Sequence, residues 1–320
     1  MTQRSLLRSP EGFRMLRYTV KRFLASVLTI WILVTAVFFL VRSLPGDPFS
    51  EEKVTPAVRV NLEKYYGMDK PIYQQYFVYL GNLLKGDMGY SLHNANEKVN
   101  TIISKTFPKS ADLGLRSLLI AILVGLPLGV FAALHRGRAI SHISIVVAII
   151  GISVPNFVMG YMLQYFFAYK LKWFPVALWR GFPYTVLPSI ALSFATMAIL
   201  SRLMRTSMLN ITNEDYIKTA RAKGLSTFAI VWKHQIRNAI LPIVTILGPI
   251  TAAVLTGTFV IENIFAIPGM GRFYVIGINN RDYTITLGLT VFYGSFLVMA
   301  NFLVDILYGV IDPRIRVTES

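Results

Sequence analysis

Residues 23–41, FLASVLTIWILVTAVFFLV, decide the fold of this chain. The run is 19 residues long and carries no charge, and about 20 apolar residues cross the hydrocarbon core of a bilayer. Five further runs of similar character follow: Ser117–Leu134, Ile143–Ala168, Tyr184–Ser201, Ile240–Ile261 and Tyr283–Val304. In lipid, long continuous runs of this kind satisfy their backbone as helices. The sequence therefore predicts an all-α polytopic membrane protein with six transmembrane helices.

The composition agrees with this class. Hydrophobic residues make up 54% of the 320 residues, and the mean hydropathy of +0.54 is outside the range of soluble globular domains. The first run is longer than the apolar part of a typical signal peptide and continues into Arg42 without a small-residue cleavage site, so we expect it to be retained. The sequence has no cysteine, which excludes disulfides and thiolate metal sites.

Positive charge lies on alternate sides of the predicted spans. The formal net charge is +16, with six Lys or Arg against one acid in residues 1–22 and seven against two in residues 202–239. Residues 43–112 are balanced, with eight basic and eight acidic side chains. The positive-inside rule therefore predicts that both termini and the 202–239 loop are cytoplasmic. Because no basic stretch is interleaved with aromatic stacking residues, we expect no nucleic-acid partner.

These assignments divide the chain into parts with different environments. They are a basic cytoplasmic N-terminus (1–22), the first transmembrane helix (23–41), an extracytoplasmic region (42–112), a domain holding helices two to six (113–310) and a cytoplasmic C-terminus (311–320). In the extracytoplasmic region, apolar spacing predicts helices at Val58–Tyr66 and Pro71–Leu84. We expect these helices to form a lid over the outer ends of the spans.

Proline and glycine interrupt the spans. A proline removes one backbone hydrogen bond and kinks a helix, whereas glycine allows helices to approach closely. The prolines are Pro127, Pro155, Pro188, Pro242 and Pro249, and the glycines are Gly125, Gly129, Gly151, Gly160, Gly248 and Gly257. The sequence therefore predicts kinked, tightly packed helices, which also suit a pathway that opens and closes.

Few residues suggest chemistry. The patterns G-x-x-x-x-G-K-[ST], H-E-x-x-H and G-x-S-x-G are absent, and the four histidines lack metal-ligand spacing. Asp305 lies near the inner end of the last span, where a structural ion pair or a helix-end contact is favoured over a proton relay. Arg116 lies at the outer edge of the second span, and its guanidinium group is expected to reach the aqueous phase there. We predict no catalytic residue and no metal site.

The loop between the fourth and fifth spans, TNEDYIKTARAKGLSTFAIVWKHQIRNAILP (212–242), has the features of a docking element. We expect Thr212 to cap a helix that carries Glu214 and Asp215 in its first turn. Gly224 stands where a positive φ commonly ends a helix, and Ser226 or Thr227 then caps a second helix.

A solvated basic loop near anionic lipid is the alternative interpretation of this segment. Two features argue against it: the paired helices, with Tyr216 and Ala220 expected on one face of the first, and the small side chains of Ala220, Ala222 and Gly224. We therefore predict that this face fits into a socket on a partner.

Several motifs in this chain resemble one family. DYIKTARAKGL (215–225) with HQIRNAILP (234–242) is similar to the cytoplasmic coupling loop of ABC-importer permeases, in the form found in dipeptide and oligopeptide permeases. Further matches are LPGDP (44–48), GMDKP (67–71), GDMGYS (86–91), Glu262 with Phe265, PGMG (268–271), RDY (281–283) and DPRIR (312–316). Lys218 and Arg237 stand where the general importer pattern has glutamate and proline, and both are typical of the peptide branch.

The resemblance implies a type I ABC importer permease fold in a bacterial cytoplasmic (inner) membrane. It implies a second homologous permease subunit, two ABC ATPase subunits, an extracytoplasmic substrate-binding protein or lipoprotein, and a peptide substrate. ATP and Mg would be bound by the ATPases, with no cofactor in this chain. The residues expected to couple to an ATPase are Glu214, Asp215, Tyr216, Thr219, Ala220, Arg221, Gly224 and Leu225. The residues that line the substrate path are not predicted.

Other functions stay open at this point. Related permeases carry nickel–metallophore complexes, glutathione or other peptide-like solutes. A proton-coupled secondary transporter would need several intramembrane acids, and Asp305, directly after the last predicted span, is the one available. An intramembrane hydrolase would need a membrane-embedded Ser/Lys, His/Glu or paired-Asp site, and the sequence shows none.

Overall fold

Helices make up nearly all of the structure. The computed structural model describes residues 9–43, 67, 69–92, 97–255 and 259–311, and in these residues an isolated bridge between Tyr90 and Lys98 is the only β pairing. In chain order the helices are α1 (Ser9–Arg42), α2 (Ile72–Leu84), α3 (Val99–Leu134), α4 (Ala139–Ser153), α5 (Asn156–Leu163), α6 (Phe182–Thr212), α7 (Asp215–Ala222), α8 (Thr227–Ile230), α9 (Arg237–Ala239), α10 (Leu241–Leu255), α11 (Phe259–Ile264), α12 (Met270–Asn279) and α13 (Tyr283–Ile311). Gln164–Lys170 continues α5 as a π-helix, and the π-helical Val231–Ile236 joins α8 to α9.

The described residues contain enough apolar helix for the six predicted spans. Four helices are long and apolar enough to cross a bilayer: Met15–Arg42, Val99–Leu134, Phe182–Thr212 and Tyr283–Ile306. Two bent helix pairs, Ile145–Ser153 with Asn156–Lys170 and Thr227–Ala239 with Leu241–Leu255, bring the number to six if each pair is one span. The all-α prediction is confirmed.

The predicted third span, Ile143–Ala168, is broken at Pro155 rather than continuous. The two helical segments on either side meet at 103°. Pro155 has no N–H to donate, and its ring disfavours the α conformation in the residue before it. Val154 is accordingly extended, with φ −86° and ψ 120°. By contrast, Pro127, Pro188 and Pro249 lie inside continuous helices.

Two compact units divide the chain: residues 1–107 with 273–320, and residues 108–272. In the first unit α1 packs along α13, and Gly294 brings the two helices together, since a Cβ at this position would collide with the side chain of Leu33. Arg22 and Asp305 form an ion pair at 3.3 Å between the same helices. Of the two contacts predicted for Asp305, a structural ion pair or a helix-end contact, the structure shows the ion pair.

The described part of the predicted lid is α2 in the first unit. Pro71 precedes its first turn, as expected for a proline at a helix start, and Val58–Tyr66 lies outside the described residues. Tyr76 and Tyr79 of α2 pack against Phe38 of α1, with ring centroids 5.4 and 5.6 Å apart. The Tyr76 hydroxyl also hydrogen-bonds Thr35 Oγ1 at 2.8 Å. Aromatic contact therefore fixes α2 against the first span.

The second unit is built around α6. A Cβ at Gly125 of α3 would lie 2.8 Å from the Met197 carbonyl oxygen, and one at Gly129 would lie 2.5 Å from the Ser201 carbonyl oxygen. These two glycines let α3 contact the α6 backbone directly, as predicted. At the other end of this stretch, Arg116 pairs with Asp112 one turn earlier, at 2.9 Å.

Candidate functional site

Residues 212–242 contain α7 and, after Gly224, the helical stretch Thr227–Ala239 made of α8, the π-helix and α9. We call this segment the helical hairpin. Its start differs from the prediction. Thr212 is the last residue of α6 rather than a cap, because its hydroxyl donates to the Met208 carbonyl oxygen at 2.7 Å and so stays within the helix. The residue that precedes α7 is Glu214, which is extended and makes no side-chain cap.

The turn between the two helices agrees with the prediction. Gly224 has φ +77°, a left-handed conformation that strains most residues with a Cβ. Its N–H donates to the Arg221 carbonyl oxygen at 2.9 Å, which closes the end of α7. Ser226 then caps α8, with its hydroxyl accepting from the Ala229 N–H at 3.3 Å. One glycine and one capping serine therefore make the turn between α7 and α8.

A small apolar core holds the two helices together. Ile217 and Ala220 of α7 are buried, and they pack with Ile230 of α8 and Ile211 at the end of α6. Tyr216 is 41% exposed, so Ile217 is the partner of Ala220 on the buried face, in place of the expected Tyr216. The predicted small-residue docking face is therefore wrong for Ala220, because this side chain packs inside the hairpin.

Polar and apolar contacts tie the hairpin to the spans. Asn238 Nδ2 donates to the Tyr216 hydroxyl at 3.2 Å, and Gln235 Nε2 donates to Thr212 Oγ1 at 3.2 Å. Val231 and Ala239 are buried in the same apolar cluster as Met204 and Met208 of α6 and Ile243 of α10. Packed side chains therefore join the hairpin to α6 and α10.

The outer surface of the hairpin carries most of the predicted coupling residues. The exposed ones are Glu214, Asp215, Tyr216, Thr219, Arg221, Gly224 and Leu225. Asp215 and Lys218 form an ion pair at 2.8 Å. Phe228 and Trp232, which were not predicted, are also exposed, with ring centroids 6.2 Å apart. This surface is mixed: charges beside aromatic and aliphatic side chains, the composition of a protein-binding surface.

A second arrangement is centred on Glu262 of α11, whose burial was not predicted from the sequence. The sequence identified Glu262 only as part of a motif, yet its side chain is completely buried in the second unit. The Ser110 hydroxyl donates to its Oε1 at 2.6 Å, and the Gly271 N–H donates to its Oε2 at 2.7 Å. A Cβ at Gly269 would lie 2.5 Å from this carboxyl group, so the glycines of PGMG make the space that it occupies.

Burial raises the pKa of the Glu262 carboxyl above its ordinary value. The hydrogen bonds from Ser110 and from the backbone of Gly271 and Arg272 act in the opposite direction, and the desolvation effect is larger. Glu262 follows the last residue of the fifth predicted span. Its Ser110 partner is 152 positions away in sequence, so no local pattern signals the contact.

Asp282, in the first unit, is another buried carboxylate that was not predicted. It is 1% exposed and stands immediately before α13. It accepts hydrogen bonds from the Ser91 hydroxyl at 2.6 Å, the Leu92 N–H at 3.0 Å and the Ile285 N–H at 3.0 Å. Asp282 therefore caps α13 and holds the segment before α3 against it, which is a structural role.

In the described part of the chain, no group of three or more His, Asp or Glu side chains is arranged to hold a metal ion. Among the described residues, Glu262 and Asp282 accept hydrogen bonds from hydroxyl and amide groups. The absence of catalytic residues in this chain stays a prediction.

Comparison with protein-family models identifies two matching regions. Residues 125–317 match the binding-protein-dependent transport system inner membrane component, and residues 15–114 match the N-terminal part of such a membrane component. The helical hairpin and Glu262 lie in the first of these regions, and Ser110, the hydroxyl partner of Glu262, lies in the second.

Full-length relatives are similar over nearly the whole chain. The dipeptide transport system permease protein DppB of Bacillus subtilis is 46% identical, covering 96% of this chain and 100% of the relative. The oligopeptide transport system permease protein OppB of Haemophilus influenzae is 41% identical, covering 94% and 100%. OppB of Escherichia coli K12 is 38% identical over the same shares.

A solved structure supports the fold. The MetNI methionine ABC transporter, in an inward-facing conformation, matches with a TM-score of 0.55 and 16% sequence identity. The match covers 66% of this chain and 96% of the MetNI chain. At this identity the likeness extends to the fold alone, which is that of a type I ABC importer permease.

Proposed function

This chain belongs to the binding-protein-dependent transport system inner membrane component family, and from this premise we propose that it is the membrane permease subunit of an ATP-driven peptide importer. The names of its relatives, dipeptide and oligopeptide transport permeases, support peptides as the substrate class. Lys218 and Arg237, which are typical of the peptide branch, also support peptides as the substrate class. The chain forms half of the translocation path and itself catalyses no reaction.

The helical hairpin couples this subunit to an ATPase, and its construction is the observation that carries the proposal. Coupling needs a rigid element, because a displacement at the ATPase must reach the spans without being absorbed by a loop. Ile217, Ala220 and Ile230 give the hairpin its own core, while Val231 and Ala239 join it to the spans. An ATPase groove that receives the exposed residues of α7 would therefore move α6 and α10 together.

The other partners follow from the same proposal. A second, homologous permease subunit completes the path, two ATPase subunits bind ATP and Mg, and an extracytoplasmic binding protein or lipoprotein delivers peptide. The excess of basic residues in 1–22 and 202–239 supports cytoplasmic termini and a cytoplasmic hairpin. The substrate path is enclosed by the spans.

Uptake of labelled peptide into proteoliposomes tests the proposal. Vesicles hold the complete complex of two permeases and two ATPases, with the binding protein outside and ATP inside. We expect peptide accumulation with ATP, none without ATP, and none in vesicles that contain this chain alone. Accumulation by this chain alone under a pH gradient would contradict the proposal and support a secondary transporter.

A further inference from the structure

A cavity of about 460 Å³ lies in the second unit, between the end of α3 and the helical hairpin. Its volume is in the range of small-molecule sites. Arg136, two residues after α3, and Arg221 of α7 both line it, and no carboxylate is among its lining residues. Within the described chain, neither arginine has an ion-pair partner. The cavity therefore carries uncompensated positive charge.

Part of the apolar cavity wall belongs to the end of a membrane span, and the rest comes from α6 and the hairpin. Ala133 and Leu134, the last residues of α3, line the cavity. Leu134 is 44% exposed and Phe131, one turn earlier, is 56% exposed. Leu134 is also the last residue of the second predicted span, where the hydrocarbon core ends. The predicted end of the span therefore puts this part of the wall beside the headgroup layer.

The inner wall contains an unsatisfied acceptor. Gln235 is 3% exposed and lines the cavity, and its Oε1 has no hydrogen-bond partner among the described residues. The orientation of this side chain is determined by Thr212, whose hydroxyl proton is used by the Met208 carbonyl oxygen. Thr212 Oγ1 therefore accepts from Gln235 Nε2, and the free atom of Gln235 is the carbonyl oxygen. This oxygen is itself buried and out of reach of a ligand in the cavity, so Gln235 contributes a packed side chain to the wall.

We propose that this cavity binds the headgroup of an anionic phospholipid, with Arg136 and Arg221 on the phosphate and Ala133 and Leu134 against the apolar part of the lipid. Basic pockets at the cytoplasmic ends of spans suit such headgroups. The proposal rests on the cytoplasmic placement of the hairpin described above. Because Arg221 belongs to α7, a bound lipid contacts the element that couples to the ATPase.

Lipid retention by the purified chain tests this proposal. The full chain is reconstituted in nanodiscs of phosphatidylcholine with phosphatidylglycerol, whose headgroup is anionic, and retained lipid is measured by native mass spectrometry. Arg136→Gln removes one cavity charge, and Arg138→Gln is the matched control, since Arg138 is exposed and outside the cavity lining. We expect retained phosphatidylglycerol to be about tenfold lower in Arg136→Gln than in Arg138→Gln, because only the first change removes a charge-assisted hydrogen bond to the phosphate.

Two results would overturn the proposal. One is equal retention of phosphatidylglycerol by Arg136→Gln and Arg138→Gln. The other is Arg136-dependent binding of inorganic phosphate in phosphatidylcholine nanodiscs, without preferential retention of phosphatidylglycerol, which would assign the cavity to a soluble phosphate. A second variant, Arg221→Gln, is expected to lower retention in the same way. Because these measurements use neither ATPases nor peptide, their failure is distinguishable from a failure of the uptake experiment.

Discussion

Shortening Ile217 to alanine tests whether the helical hairpin is held rigid by its own core. Ile217 is fully buried against Ala220, Ile230 and Ile211. The change removes three carbon atoms, which at about 0.8 kcal/mol each is roughly 2.4 kcal/mol of lost burial. This figure is within the range of about 2–5 kcal/mol for such truncations in protein cores. The loss falls on the docking of α7, since the cluster that it disrupts is local to the hairpin.

Hydrogen–deuterium exchange measures this loss directly. Local opening of α7 exposes its amides, and a factor of ten in protection corresponds to about 1.4 kcal/mol. We therefore expect the amides of Asp215–Ala222 in Ile217→Ala to exchange roughly 50-fold faster, with the amides of α13 unchanged. Lys218→Ala is the control, because Lys218 and its partner Asp215 are on the surface. A surface ion pair contributes little, so only a few-fold change is expected there.

The reasoning would be refuted by equal exchange rates in α7 for Ile217→Ala and Lys218→Ala. It would also be refuted if Ile217→Ala speeded exchange in α7 as expected but left peptide-stimulated ATP hydrolysis at the wild-type level. In that case a loosened hairpin still transmits motion, and rigidity is not needed for coupling.

Three further predictions follow from other parts of the structure. Gly224→Val places a β-branched residue at the positive φ of the hairpin turn and is expected to lower peptide-stimulated ATP hydrolysis at least tenfold. Gly224→Asn is the control, because asparagine tolerates this conformation and should retain most of the activity. Equal activities of the two variants would contradict the role of the turn. The raised pKa of Glu262 means that the folded state holds its proton to higher pH than the unfolded state, so this group lowers stability as pH rises from the ordinary carboxyl pKa through the raised one. Glu262→Gln removes that titration, so the melting temperature of the variant minus that of the wild type is expected to increase as pH rises through this window. A difference that stays constant with pH would refute the burial effect. The chain has no cysteine, so a single introduced cysteine is the only thiol that can be labelled in it. Phe77→Cys is expected to react with an impermeant thiol reagent in intact spheroplasts, and Arg138→Cys only after permeabilisation. The reverse pattern would show that the predicted topology is inverted.

The spans were predictable because their signal is local. Each apolar run is long enough to require a helix in lipid, whatever the rest of the chain does. The bend at Pro155 was equally local, since proline acts on its own helix and on the residue before it. Its 103° angle was not predictable, because the size of a bend depends on how the two halves pack.

The site was predictable in position and less so in detail. Gly224 and Ser226 have conformational preferences that their residue types reveal. Thr212 was misassigned because a threonine hydroxyl satisfies either a helix start or the preceding turn of its own helix, and the sequence does not distinguish these. Ala220 was misassigned because a small side chain suits an internal contact as well as an external one. The partners of Glu262 come from distant segments, and such contacts exist only in the fold.

Cross-linking from the hairpin to an ATPase tests the central claim most directly. In a complex assembled with its second permease and two ATPases, Leu225→Cys places one thiol on the exposed end of the hairpin. We predict that a short thiol-to-amine cross-linker joins this chain to an ATPase subunit, and that the yield changes between the nucleotide-free and ATP-bound states. A yield no higher than that of Phe77→Cys on α2, in either state, would contradict the assignment of residues 212–242 as the coupling element.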